Sequence, residues 1–254
     1  MTAPASARFV TWSSMRWVIR HRAWTPWYLV RYWRFGCWRL RHRHVICEGM
    51  VFLGRHSRIE ARKGYSRLVV GRWVHVGDGS RLIAHEGSLR VGDKTVFGTD
   101  VTVTAYLDIE VGASCLVADD VYVTDFDHAF DDITAPVKDQ GIVKSPVRIG
   151  PDCWLGTKSV VTRGVLIGRG CVVGAGSVVT KPLPAMSVAV GNPARVIKDR
   201  REQYVDDEPR RAALLDIRRK TAAAAQESAS LDRSAEQSQR RAPEVQEGLV
   251  EPGE

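Results

Sequence analysis

Large aliphatic residues recur every six positions through the second half of the chain. Ile149, Leu155, Val161, Ile167, Val173 and Val179 form an unbroken series, followed in turn by Gly150, Gly156, Thr162, Gly168, Gly174 and Thr180. Two positions before each aliphatic stand Val147, Cys153, Ser159, Val165, Cys171 and Ser177, all small or β-branched. Alternation inside a six-residue period predicts short strands joined by tight corners, with one bulky and one small inward column. The same frame runs upstream through Val70, Val76 and Leu82, then Val91, Phe97 and Val103, then, after a two-residue slip, Val111, Val117 and Val123. An antiparallel sandwich explains the alternation but not the period.

Three hexads make a coil of about 18 residues, so the pattern predicts an all-β fold, a parallel β-helix of triangular section whose coils stack about 4.8 Å apart. Cys153 and Cys171 then share an interior column, where their role is packing. The frame lapses between Val123 and Val147, over an excursion spanning 124–146 that opens with DFDHAFDD. Long departures from a compact scaffold are functional or disordered, and the aromatics and aliphatics of this one favour an ordered arm.

Composition fits one principal domain with appendages: 254 residues, 44% hydrophobic, net charge +8. Much of that charge sits in residues 15–44, which hold eight arginines, five tryptophans and no acid. Thr25-Pro26 would end one helix and start another there. A helical hairpin in the interface of an anionic membrane, and a helical cap over the first coil, both suit this segment and are compatible. No nucleic-acid module accompanies the charge. The five cysteines lack CxxC spacing, which favours a reducing, cytoplasmic setting, and arginines interrupt every apolar run before it could span a bilayer. Beyond about residue 200 the chain turns polar, with one helix and then a stretch expected to be disordered.

The run VRIGPDCWLGTKSVVTRGVLIGRGCVVGAGSVVTKPLPAMSVAVGNPARVIK, together with DFDH before it, resembles the hexapeptide-repeat acyltransferases, especially the sugar O-acetyltransferases of the galactoside, maltose, nodulation-factor and exopolysaccharide type. The resemblance covers about residues 70–198; DFDH, CWLG, VGAGSVVT and GNPAR are its specific parts. It implies a left-handed β-helix and a homotrimer in which acyl-CoA, most simply acetyl-CoA, lies between adjacent prisms, with His128 as the base.

The chemistry supports that role independently. Moving an acyl group from a thioester to a sugar hydroxyl needs a base of near-neutral pKa, and imidazole suits it. The oxyanion needs fixed donors, for which the corner at Gly156 and Thr157 is a candidate. Asp125 and Asp127 compete to orient the base, although alternation puts both on the side opposite His128, so an aspartate of another coil or subunit stays open. No cysteine or serine stands beside His128 as a nucleophile, which favours direct transfer.

A metal is not expected. A three-histidine site like that of γ-class carbonic anhydrases would need a closely spaced pair that His75, His85 and His128 do not supply, and Asp125, Asp127, Asp131 and Asp132 lack the glycine and glutamate of a calcium loop.

For the donor, Gly174, Ala175 and Gly176 offer a narrow groove to the pantetheine arm, and Trp154 matches the family's aromatic, or else shields a prism corner. Lys181, Arg195 and Lys198 could neutralise phosphates, or form a solvated rim. Tyr106 and Asp108, one coil before His128, are candidates for the sugar. The expected organisation is a basic segment over 1–60, the β-helix over 61–198 and a polar tail over 199–254. A non-catalytic β-helix scaffold docked at a membrane is the alternative.

Overall fold

The computed structural model describes residues 12–20, 22–202, 215–217 and 219–220. The chain divides into a unit ending at Arg201 and a second beginning at Glu202. The first unit opens with two helices, α1 (Trp12–Arg20) and α2 (Pro26–Arg41), with Thr25 at the N-cap of α2 and Pro26 in its first turn. In the second unit, residues 215–217 and 219–220 are helical and Lys220 pairs with Asp216 at 2.8 Å. The stretch expected to be disordered lies outside the described residues.

Six coils of three strands follow α2. The first holds β1 (Ile46–Cys47), β2 (Val51–Leu53) and β3 (Arg58–Ala61), and the second β4 (Ser66–Val70), β5 (Val74–Val76) and β6 (Arg81–Ala84). The third holds β7 (Gly87–Val91), β8 (Val96–Phe97) and β9 (Thr102–Ala105), and the fourth β10 (Asp108–Val111), β11 (Leu116–Val117) and β12 (Tyr122–Thr124). A two-stranded hairpin, β13 (Phe126–His128) with β14 (Ile142–Lys144), intervenes. The fifth coil is β15 (Val147–Ile149), β16 (Trp154–Leu155) and β17 (Val160–Val161), and the sixth β18 (Leu166–Ile167), β19 (Val172–Val173) and β20 (Val178–Val179). A closing hairpin, β21 (Ser187–Val190) and β22 (Arg195–Asp199), turns through the GNPA sequence.

The first strands of all six coils form parallel sheet A, the second strands sheet B, and the third strands sheet C. These are the faces of a left-handed parallel β-helix. Register keeps the hexad aliphatics in line, as in Val91, Val111, Ile149 and Ile167 down sheet A. All six aliphatics from Ile149 to Val179 are buried.

The prism starts at Ile46, earlier than position 61, where the hexads first become plain. Cys47, Leu53 and Ile59 keep the six-residue step, pairing with Val70, Val76 and Leu82. A cysteine in the place of the first aliphatic hides this coil in the sequence.

The small inward column of sheet B runs through Thr95, Cys115, Cys153, Cys171 and Ser187. The first four donate to a carbonyl of the next coil or turn: Thr95 to Gly112 at 2.7 Å, Cys115 to Gly150 at 3.2 Å, Cys153 to Gly168 at 3.1 Å and Cys171 to Pro184 at 2.9 Å, while Ser187 closes its own turn on Pro184 at 2.7 Å. The cysteines are thus polar staples as well as packing groups.

Helix α2 covers the outer face of sheet B at its first coil. Phe52 points outward there yet is fully buried, its ring 5.8 Å from those of both Tyr28 and Tyr32 and 4.3 Å from that of His75. Phe35 continues from α2 into the main core cluster. Burial pushes the His75 imidazole down to about 4, with nearby Arg31 acting in the same direction.

Candidate active site

The hairpin β13–β14 leaves the prism at the corner between sheets C and A, and His128 ends its paired stretch, opposite Ile142. Asp125 roots it. That side chain is completely buried, and its carboxylate accepts the amides of Tyr106 at 2.8 Å, Leu107 at 2.8 Å and Asp108 at 2.7 Å, while its carbonyl takes the Ser145 amide at 2.8 Å. A buried carboxylate is tolerable when backbone donors satisfy it in this way. One residue therefore ties both ends of the excursion to the corner of the coil above.

His128 is solvent-exposed, and among the described residues its ring nitrogens have no hydrogen-bond partner. Neither candidate aspartate reaches it. Both oxygens of Asp125 are committed to the 106–108 turn, and Asp127 pairs with Arg163 of the next coil at 2.8 Å.

Aromatic rings stack along this corner toward His128. His85 and Tyr106 lie 4.7 Å apart, Tyr106 and Phe126 4.4 Å, and Phe126 meets His128 edge-on at 6.4 Å. Lys144 of β14 pairs with Glu86 and stands 5.7 Å over the Tyr106 ring. Tyr106 is therefore built into the hairpin's base. Asp108 is held on sheet A, where it accepts from Ser88 Oγ at 2.5 Å and pairs with Arg148. Sequence reasoning missed Phe126, Lys144, Arg148 and Arg163 because their partners lie in other coils.

Trp154 occupies the outer face of sheet B, 49% exposed, in register between Leu116 and Val172. Gly156 and Thr157 form the following B–C corner, with Gly174, Ala175 and Gly176 at the same corner one coil on. Gly156 is there for coil spacing, since a Cβ would stand 2.6 Å from the Ala175 nitrogen. Its amide is spent on the Val173 carbonyl at 2.8 Å, and the Gly176 amide on the Thr157 carbonyl at 2.8 Å. Of the two candidate oxyanion donors, only the Thr157 amide has no partner among the described residues. A Cβ added at Gly176 would meet nothing within 4 Å, so this corner carries an open ledge.

Lys181 lies at the C–A corner after β20, whereas Arg195 opens β22 on sheet B with Nη1 on the Ala194 carbonyl at 2.9 Å. Both are exposed, on different sides of the prism, and Lys198 is exposed further along β22. Among the described residues no three His, Cys, Asp or Glu side chains converge as a metal site. His128 and the Trp154–Gly176 region thus stand at different corners, with the whole of sheet C between them.

Residues 146–181 match the family model for the hexapeptide repeat of succinyl-transferase. A protein of Mycobacterium tuberculosis named as a probable acetyltransferase is 54% identical over 224 residues, covering 87% of this chain and 75% of that relative. The Escherichia coli protein named for colanic acid biosynthesis as the acetyltransferase WcaF is 39% identical over 122 residues, or 47% of this chain and 63% of its own length. A solved maltose O-acetyltransferase from Clostridium difficile is 30% identical with a TM-score of 0.42, covering 61% of this chain and 70% of that one.

Proposed function

The chain belongs to the hexapeptide-repeat acyltransferases, and on that footing we propose that it transfers an acyl group, acetyl first among them, from acyl-CoA to a hydroxyl of a sugar in a glycolipid or polysaccharide precursor, with His128 as general base. The observation that carries this reading is an exposed imidazole on the hairpin that interrupts the coils, with its root fixed by Asp125. The colanic acid and maltose acetyltransferases among the relatives support a sugar acceptor.

His128 takes the hydroxyl proton as the oxygen attacks the thioester carbonyl. Collapse of the tetrahedral intermediate breaks the C–S bond, and the imidazolium returns the proton to the departing thiolate. The Thr157 amide, which has no partner among the described residues, is the donor assigned to the oxyanion. The open ledge at Gly176 fits a thin pantetheine arm, with Trp154 at its reactive end and the exposed Lys181 and Arg195 as candidates for the phosphates. Tyr106, beside Phe126, is the better placed of the two acceptor candidates.

The cysteines argue against an acyl-enzyme. Cys115, Cys153 and Cys171 are interior staples closed off from a substrate. The Cys115 thiol beside Cys153 helps push Cys153 up to about 11, and although the same contact lowers Cys115, that thiol is buried and hydrogen-bonded to the Gly150 carbonyl.

His128 and the donor ledge occupy different corners of one prism, so a working site needs the hairpin of one copy against the ledge of another. A closed homotrimer supplies three such pairings. Five free cysteines suit a reducing cytoplasm. Release of CoA thiol from acetyl-, succinyl- and longer acyl-CoA, measured against a panel of glycosides, tests the reaction; no release with any pair would refute it.

A further inference from the structure

The two helices ahead of the prism have a second face. Helix α2 turns Tyr28, Tyr32 and Phe35 toward the prism, which leaves Leu29, Trp33 and Leu40 along the opposite side. Trp33 flanks a cleft beside Leu53 and Gly54, yet it is 74% exposed in a helix already anchored through Tyr28, Tyr32 and Phe35, so most of its surface is left uncovered by the prism. Helix α1 also exposes apolar residues, with Trp12, Met15 and Ile19 along one side and Trp12 at 78%. Trp24, in the turn between the helices, is exposed as well.

Scattered exposed apolar residues need no explanation, but two stripes that each hold a tryptophan, with a third tryptophan in the turn between them, do. Charge selects the occupant. No aspartate or glutamate occurs before Glu48, and arginines flank both stripes: Arg16 and Arg20 in α1, Arg34 and Arg41 in α2. Beside the α2 stripe, Arg31, Arg34 and Arg55 line a cavity of about 360 Å³ with Asp78, whose carboxylate already accepts the Arg55 amide at 2.8 Å. Burial lowers the pKa of the Arg31 guanidinium, Asp78 acts against that and Arg34 with it, so the cavity gathers three cationic side chains against one carboxylate. No helix among the described residues is long and apolar enough to cross a membrane, so these helices would lie in the interface.

We propose that the outer faces of α1 and α2 dock on an anionic phospholipid bilayer, the tryptophan stripes entering the acyl boundary and the arginine-lined cavity taking a headgroup phosphate. Aromatics at headgroup depth and guanidiniums on phosphates are the chemistry such a surface offers. This docking is independent of the reaction at His128. It would hold the prism beside acceptors that are themselves lipid-anchored.

Flotation of the full chain with phosphatidylcholine vesicles, and with vesicles in which a third of the lipid is phosphatidylglycerol, tests the assignment. The wild-type protein is expected to float with the anionic vesicles at least about tenfold better than with the neutral ones, and less well in high salt. Leu29→Ser with Trp33→Ser should cut that partition about tenfold or more while leaving the oligomeric mass and unfolding temperature unchanged. Arg34→Gln with Arg55→Gln should remove most of the preference for phosphatidylglycerol. Absence of wild-type flotation, or equal flotation of the Leu29/Trp33 variant, would overturn the proposal. So would dissociation of the oligomer in that variant, which would put a second copy of the chain on the stripe.

Discussion

The Asp125 carboxylate accepts the amide of Tyr106 at 2.8 Å across a gap of 19 residues, and so fastens the hairpin bearing His128 to the coil above. Removing it strands three backbone donors. Asp125→Ala should lower stability by about 3 kcal/mol or more in denaturant titration, whereas Asp125→Asn, which keeps one acceptor oxygen, should cost less. Equal stability of Asp125→Ala and the wild type would contradict this anchoring role.

Ser159 presents the opposite case. Its hydroxyl is buried among described residues with no hydrogen-bond partner. Ser159→Ala is therefore expected to be neutral or to stabilise by up to about 1 kcal/mol. A clear loss in the same titration would mean that the hydroxyl is satisfied.

His75 gives the fold an acid-sensitive end. Its folded value of about 4 lies below the ordinary histidine range, so neutral His75 favours the folded state above about pH 6.5, and that contribution fades as pH falls toward 4. Unfolding temperatures should drop more steeply over this window in the wild type than in His75→Gln. Parallel curves would place the acid sensitivity elsewhere.

In the sheet B column, Thr95 already does with a hydroxyl what Cys153 does with a thiol. Cys153→Ser should fold within about 1 kcal/mol of the wild type and keep its turnover. Loss of turnover in a stable Cys153→Ser protein would revive a covalent mechanism.

If each site joins the His128 hairpin of one copy to the Ala175 ledge of another, two inactive variants should rescue each other. Ala175→Trp fills the exposed ledge, and His128→Ala removes the base. Mixed trimers should recover activity at about one site in three, which is about a quarter of all sites in the population from equal co-expression. No recovery in a verified mixed trimer would mean that both halves belong to one chain.

Much of the prism is legible in the sequence because each hexad repeats one corner, so the step from Ile149 to Val179 reports the geometry directly. The break at DFDH is equally visible. What the chain does not reveal locally is pairing between coils. The Asp125 contacts to 106–108 and the Arg163 contact to Asp127 depend on how many residues each coil and the hairpin consume, and no local pattern encodes that. The first coil is concealed by Cys47 in place of an aliphatic. The two faces of α2 look alike in composition, and only burial of Phe52 tells the cap side from the outer one.

The most direct test of the central claim is steady-state turnover of His128→Ala with acetyl-CoA and an accepted glycoside, alongside calorimetric titration of acetyl-CoA. General-base catalysis predicts a fall in kcat of about 10²- to 10⁴-fold with acetyl-CoA binding retained. Full turnover in the folded variant would contradict it.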